Sequence, residues 1–300
     1  MWIDELAGLM AVPRADQYAA LKRIRDAAGP SFEQWNTDFS PASLYGAWTK
    51  LPIMQSLYRD NRTVIMKALH GRSDWHIVEL GGGTGALWEG FFDEGSAGTF
   101  TLIDPHPQAH TAVAALLPQG VAFDSVTTGA EHAEIPAADV LVSSLTLHHV
   151  AGSNAAQRNM FGLDGDGKAE VLQRCVAAIR RRSGVGVLNE ADIYNEIDLA
   201  PGDPVLVDNF IDVYVRRTAR AVAHAISEAD GAPDLVAAWE AILRHWCLDQ
   251  VDNAFLPRRD RDVYELDTQH WTHLLRQAGA VDIAHSFTDD WNLFAQYLFR

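Results

Sequence analysis

Apolar positions along this chain change their period twice. From residue 2 to 70 they recur at helical spacing, and the segment breaks at Pro13, Gly29-Pro30, Pro41 and Pro52. Tyr18, Leu21 and Ile24 share one face of a helix expected over 15–28. Leu57, Ile65 and Leu69 share one over 53–69. An aromatic-rich connection (Phe32, Trp35, Phe39, Tyr45, Trp48) lies between them. From residue 75 short apolar runs take over. They predict strands at 75–80, 100–104, 121–126, 139–143 and 185–188. Helices are expected to start at 86–92 and to run over 109–117 and 168–181. Strands alternating with helices imply a parallel sheet covered on both faces. Two amphipathic helices, at 205–227 and 235–248, then break the alternation. The chain closes with a helix at 268–277 and strands near 281–287 and 294–299. The short turn Thr288-Asp289-Asp290 makes these two strands an antiparallel hairpin. The expected organisation is an N-terminal helical lid over 1–70 and an α/β domain over 71–300, with a helical insertion at about 195–262.

Composition narrows the class. With 48% apolar and 21% charged residues, the 300-residue chain is not a disordered one. Forty acids against 24 bases give a net charge of −16, a field that repels phosphate backbones and argues against a nucleic-acid substrate. No apolar stretch reaches the roughly 18 residues of a membrane helix, and Asp4 and Glu5 stand where a signal peptide needs bases. A cytoplasmic protein with no membrane partner is expected. Cys175 and Cys247 make no disulfide or metal framework. Asp164-Gly165-Asp166-Gly167 lacks the ligand spacing of a calcium loop and is expected to cap the next helix. His106, His110 and His132 have no metal spacing, so no metal is expected.

The first strand runs into Glu79-Leu80-Gly81-Gly82-Gly83-Thr84-Gly85. Glycines between a strand and a helix permit a tight turn and let a ligand approach the backbone. Gly81, Gly83 and Ala86 also fit the dinucleotide pattern G-x-G-x-x-G/A, which keeps a nicotinamide cofactor under consideration. The next strand ends on Asp104, 19 residues after Gly85, followed by Pro105. A carboxylate there can accept hydrogen bonds from ribose hydroxyls. The fourth strand runs into Ser143-Ser144-Leu145-Thr146-Leu147-His148-His149-Val150.

Together, E-x-G-x-G-x-G, Asp104 and the L-H-H-V segment resemble the class I methyltransferases that use S-adenosylmethionine (SAM). The resemblance covers about 60–190 and 265–300. It implies a doubly wound, seven-stranded, mostly parallel sheet whose last strand is antiparallel. It also implies that Glu79, Gly81, Gly82, Gly83, Gly85, Asp104 and Pro105 hold SAM. Ser143, Ser144 and Leu145 would lie beside its methionine end, and Thr127 and Thr128 over the adenine. Many family members carry an acid where this chain has Thr127-Thr128, and Glu131 is a substitute for it.

Methyl transfer to a hydroxyl or amine needs alignment and removal of a proton. His148 and His149 are the candidate bases, a structural role being the alternative. Glu190 and Tyr194, in the polar cluster after the fifth strand, are candidates to orient an acceptor. Tyr45, Trp48, Tyr58 and Arg62 are candidate lid residues over the pocket. The expected activity is methylation of a small-molecule hydroxyl, carboxylate or amine, often on a specialised metabolite. Two alternatives keep SAM. In one, similar to azetidine-2-carboxylate synthases, SAM cyclises on its own amine and releases methylthioadenosine. In the other, SAM is bound without being consumed. The helices at 205–227 and 235–248 are candidates for a homodimer interface or a pocket cap.

Overall fold

The computed structural model describes residues 2–28, 43–150, 165–193, 200, 202–228, 233–242 and 265–300. Its centre is β1 (Trp75–Leu80), apolar on both faces. Ile77 packs into one core layer, while Val78 and Leu80 pack into the other. β2 (Gly98–Ile103) and β3 (Val121–Val126) pair outward from β1 on one side. β4 (Val140–Ser144) and β5 (Val185–Ala191) pair outward on the other, all five strands parallel. β7 (Phe294–Phe299) runs antiparallel to both β5 and β6 (Ala284–Phe287) and lies between them. The seven-stranded order is β3-β2-β1-β4-β5-β7-β6, so the direction in which successive strands are added reverses between β1 and β4. In such sheets that switch point is where a crevice opens at the carboxyl ends of the strands.

The helices divide between the two faces. α1 (Trp2–Gly8), α2 (Arg14–Ala28), α3 (Leu44–Trp48) and α4 (Pro52–Leu69) precede the sheet. α4 buries Ile53, Leu57 and Ile65 in the same layer as Ile77, Val142 and Val187. Leu51 precedes Pro52, which starts α4 without a lost hydrogen bond. α5 (Pro107–Ala114) follows β2, and α6 (Gly165–Arg180) follows β4. α6 buries Val171, Leu172, Val176 and Ile179 in the opposite layer. The long helix expected at 205–227 forms in three pieces: α7 (Pro204–Phe210), a π-helical stretch (Ile211–Thr218) and α8 (Ala219–Glu228). A further helix, α9, spans 233–242. α10 (Thr268–Gln277) is capped by Asp267, whose side chain accepts from His270 N.

Two expectations need correction. The helix expected at 86–92 is only one 3₁₀ turn, Ala86–Trp88, and Gly90 at φ +67° turns the chain away. The cause is aromatic: Trp88, Phe91 and Phe92 collapse onto Trp75 and Phe100. The strand expected at 281–287 starts only at Ala284, after Asp282 at φ +52°. β5 runs on to Ala191 because β7 pairs with it through Phe294. Phe32, Trp35, Phe39, Asp164, Tyr194, Cys247 and most of the insertion lie outside the described residues. Among the described residues no helix is long and apolar enough to cross a membrane.

Candidate active site

The glycine turn after β1 is demanded twice over. Gly81, Gly83 and Gly85 have φ of +77°, +50° and +76°, a region costly for other residues. A Cβ on Gly81 would also stand 2.1 Å from Thr146 Oγ1, across the switch point. Asp104, buried just past β2, clamps the turn. Its Oδ2 accepts from Gly82 N at 2.9 Å and Gly83 N at 3.5 Å, and its Oδ1 from His106 N at 2.8 Å. His110 anchors the same corner through Asp104 O (2.8 Å) and Ser125 Oγ (2.7 Å).

Glu79 lies buried beneath the turn. Its Oε2 accepts from Trp88 Nε1 at 2.7 Å. Burial, with the nearby charge of Asp104, pushes its carboxyl up to about 8 although the indole opposes this. Glu79, Gly81, Thr84, Ser144, Tyr45 and Tyr58 are among the residues lining a cleft of about 20 Å³, room for roughly one water. Tyr45 closes it from above: a Cβ on Gly83 would meet the Tyr45 hydroxyl at 3.1 Å. Burial and the carboxylates of Asp104 and Glu79 push the Tyr45 phenol up to about 12, so it stays protonated.

The β4 end is organised by Glu190. Its Oε1 accepts from Leu147 N (2.8 Å) and Thr146 N (3.3 Å), and its Oε2 lies 2.7 Å from His148 Nδ1. His148 Nε2 lies 3.0 Å from His149 Nε2. Burial disfavours charge on His148, but Glu190 outweighs it and the imidazole is raised. His149 is lowered well below the usual histidine value by desolvation and then by His148 and Lys168. His149 is therefore the neutral member of the pair. Fully buried Lys168 donates to Val150 O and to His148 O. Glu265, pushed up to about 7 chiefly by burial, accepts from Tyr214 Oη at 3.1 Å. Tyr214 projects from the π-helical stretch, a geometry often found at functional sites.

The fold thus brings Glu79, Gly81, Gly82, Ser144, Leu145 and Tyr45 to one cleft, with Gly83, Gly85, Asp104 and Pro105 adjoining. Ser143 points to the opposite sheet face, where its buried Oγ has no partner. Thr127 and Thr128 stand beyond the carboxyl end of β3, Thr127 exposed. Three expected pocket residues serve otherwise. Trp48 is buried edge-on against Phe294 at 6.3 Å. Arg62 straps Glu89 O (3.0 Å) and Ala86 O (3.3 Å). Glu190 holds His148. Tyr194 lies outside the described residues. Sequence reasoning missed Trp88, Glu265, Asn61 and Gln296. Its available signal was a polar residue in an apolar run, such as Gln296 within Phe294-Ala295-Gln296-Tyr297. Among the described residues no three His, Cys, Asp or Glu side chains are grouped to hold a metal ion.

No family model and no curated protein sequence matches this chain. Solved structures do match it. The SAM-dependent methyltransferase SibL in its apo form superposes with TM-score 0.50 and 14% identity, covering 96% of this chain and 69% of that one. Human N-acetylserotonin methyltransferase in complex with SAM gives TM-score 0.46 and 14% identity, covering 96% of this chain and 66% of that chain. N-methyltransferase NodS from Bradyrhizobium japonicum, with S-adenosylhomocysteine, gives 0.46 and 12%, covering 94% and 97%. The fold is that of the class I SAM-dependent methyltransferases.

The residues present fit SAM as a ligand. The left-handed glycine turn ends β1 at the switch point without side chains of its own, and the buried acids Asp104 and Glu79 stand beside it.

Proposed function

We propose that this chain is a SAM-dependent methyltransferase acting on a small molecule. The observation that carries the reading is the glycine turn of β1 opening at the β1/β4 switch point with Asp104 at the end of β2. SAM, when bound, supplies an electrophilic methyl group on a sulfonium. The chain's own part is alignment, exclusion of water and removal of a proton. Asp104 already accepts three backbone N–H groups, from Gly82, Gly83 and His106, and would offer its carboxylate beside the cleft to ribose hydroxyls. Glu79, protonated near neutral pH in the empty protein, ionises at little cost beside a ligand ammonium. Tyr45 and Tyr58 shut the cleft against solvent from the N-terminal side. His149, neutral and linked through His148 to Glu190, is our candidate to take a proton from an acceptor hydroxyl or amine. The net charge of −16 supports a small molecule over a nucleic acid as acceptor.

The test begins with SAM alone. Thermal melting with S-adenosylhomocysteine is expected to raise Tm for the wild type and not for Gly83→Arg, whose side chain would enter the space held by Tyr45. Mass spectrometry of protein incubated with SAM is expected to show no enzyme-dependent methylthioadenosine. Its appearance would replace methyl transfer by cyclisation of SAM. Absence of any Tm shift in the wild type would remove the SAM reading.

A further inference from the structure

A row of uncharged polar side chains crosses the sheet beneath α4, and its hydrogen-bonding capacity is left open. Ser144 on β4 pairs in register with Asn189 on β5, and Asn189 with Gln296 on β7. Side chains at registered positions share a sheet face. The face is the one under α4, because Val142, Val187, Ala191 and Phe294, two residues away along each strand, all pack in the layer that holds Leu57 and Ile65. Gln296 Nε2 donates to Asn61 Oδ1 of α4 at 2.6 Å. Asn61 and Asn189 are fully buried and Gln296 nearly so. Yet among the described residues Asn61 Nδ2, Ser144 Oγ and both Asn189 Oδ1 and Nδ2 have no hydrogen-bond partner. Buried polar atoms in folded proteins are ordinarily paired, so four open ones in a contiguous row point to a missing occupant. The row is continuous with the cleft, since Ser144 lines it together with Tyr58, one helical turn before Asn61.

We propose that Ser144, Asn189 and the Asn61–Gln296 pair recognise an uncharged hydroxyl or carboxamide group on the acceptor. This rests on the methyltransferase reading and narrows its acceptor class. The open atoms decide the chemistry. Asn189 offers both an acceptor and a donor, Asn61 a donor, and Ser144 either. An ammonium, which only donates, leaves both carboxamide N–H groups unanswered. A carboxylate only accepts; it leaves Asn189 Oδ1 open and meets Glu79 in the same cleft. Among the described residues, Arg62, next to Asn61 in the chain, directs both terminal guanidinium nitrogens to the carbonyls of Glu89 and Ala86, and only its Nε is left open. A neutral group that both donates and accepts matches Asn189 Oδ1 as well as the open carboxamide N–H groups, and its burial carries no charge penalty. The group enters from the cleft.

The test uses four probes sharing one ring: benzyl alcohol, benzamide, benzoate and benzylamine. Saturation-transfer NMR is run on the full chain with and without S-adenosylhomocysteine. Benzyl alcohol or benzamide is expected to receive saturation, and at least fivefold less in Asn189→Leu. The alcohol and amide arms tell the two sources of the chemistry apart. Asn189→Leu is expected to bind S-adenosylhomocysteine within threefold of wild type and to melt no lower, because it removes two unsatisfied buried atoms. Ser144→Ala provides a smaller change with the same expected loss of probe signal. Preference for benzoate or benzylamine would overturn the proposal. So would neutral-probe signals unchanged in both variants, no signal from either neutral probe, or a Tm for Asn189→Leu several degrees lower. Failure of the wild type to bind S-adenosylhomocysteine instead strikes the methyltransferase reading, and the probe preference is still read on its own.

Discussion

Two buried acids sit at opposite ends of the sheet and are treated in opposite ways. Asp139, just before β4 at the amino end, is 1% exposed, and both its oxygens are occupied. Arg72 pairs with Oδ1, while Arg182 Nε and His76 N donate to Oδ2, each at 2.8 Å. Its backbone also bridges neighbouring strands, through Asp139 N to His76 O and Val185 N to Asp139 O. Glu79, at the carboxyl end of β1, is 2% exposed and, among the described residues, has one indole N–H and no cation. Where the acid serves the fold, charge is matched. Where the crevice opens, buried polarity is left partly unmatched among the described residues, in Ser144 and Asn189. Unmatched buried polar groups lower stability and are retained at sites where a ligand completes them.

The largest expected effect falls on the matched acid. Asp139→Ala should cost about 2–3 kcal/mol, below the 3–5 typical of a broken buried pair because both arginines are about one-third exposed and solvent screens what remains. Guanidinium denaturation measures it, and affinity for S-adenosylhomocysteine should stay unchanged. A loss under about 0.5 kcal/mol would dissolve the contrast between the two ends.

Asp104→Asn should act the other way round. It weakens an acceptor of the turn's N–H groups and of the expected ribose hydroxyls, so affinity for S-adenosylhomocysteine should fall roughly 10–100-fold, the scale of charge-assisted hydrogen bonds. Calorimetric titration checks this, with the melting temperature expected to fall only a few degrees.

A pH-dependent effect sharpens the comparison most. In the folded chain Glu79 titrates near 8, against 4.5 when unfolded. A raised pKa favours the protonated folded form, so the stability it contributes is complete below about pH 4.5 and is lost as pH rises towards about 8. Glu79→Gln cannot ionise and escapes this loss. The Tm of the variant relative to wild type should therefore climb between pH 5 and pH 8 and level off above. Parallel Tm curves across that range would show that Glu79 is already ionised in the fold.

Much of this architecture is legible from near neighbours. β1, β3, β7 and α10 occupy the stretches that their apolar periodicity marks. The glycine turn and Asp104 stand where their residue types demand a tight turn and a carboxylate. Local pattern fails where packing overrules it. An apparent helix after Ala86 gives way to an aromatic cluster, and Trp48, read as a lid residue, is drawn into the core by Phe294. It also fails for partnerships between distant residues. His148 and Glu190 are 42 positions apart, and Gln296 and Asn61 are 235 apart.

The sequence by itself determines the alternation of strand and helix, the glycine turn and the acids that flank it, because each depends on backbone preference and on neighbours within a few residues. Only the tertiary structure decides that Arg62 is a strap, that Glu190 holds a histidine, and that Asn189 and Asn61 keep open hydrogen bonds. Whether a buried polar atom finds a partner depends on which distant segments the fold lays against it.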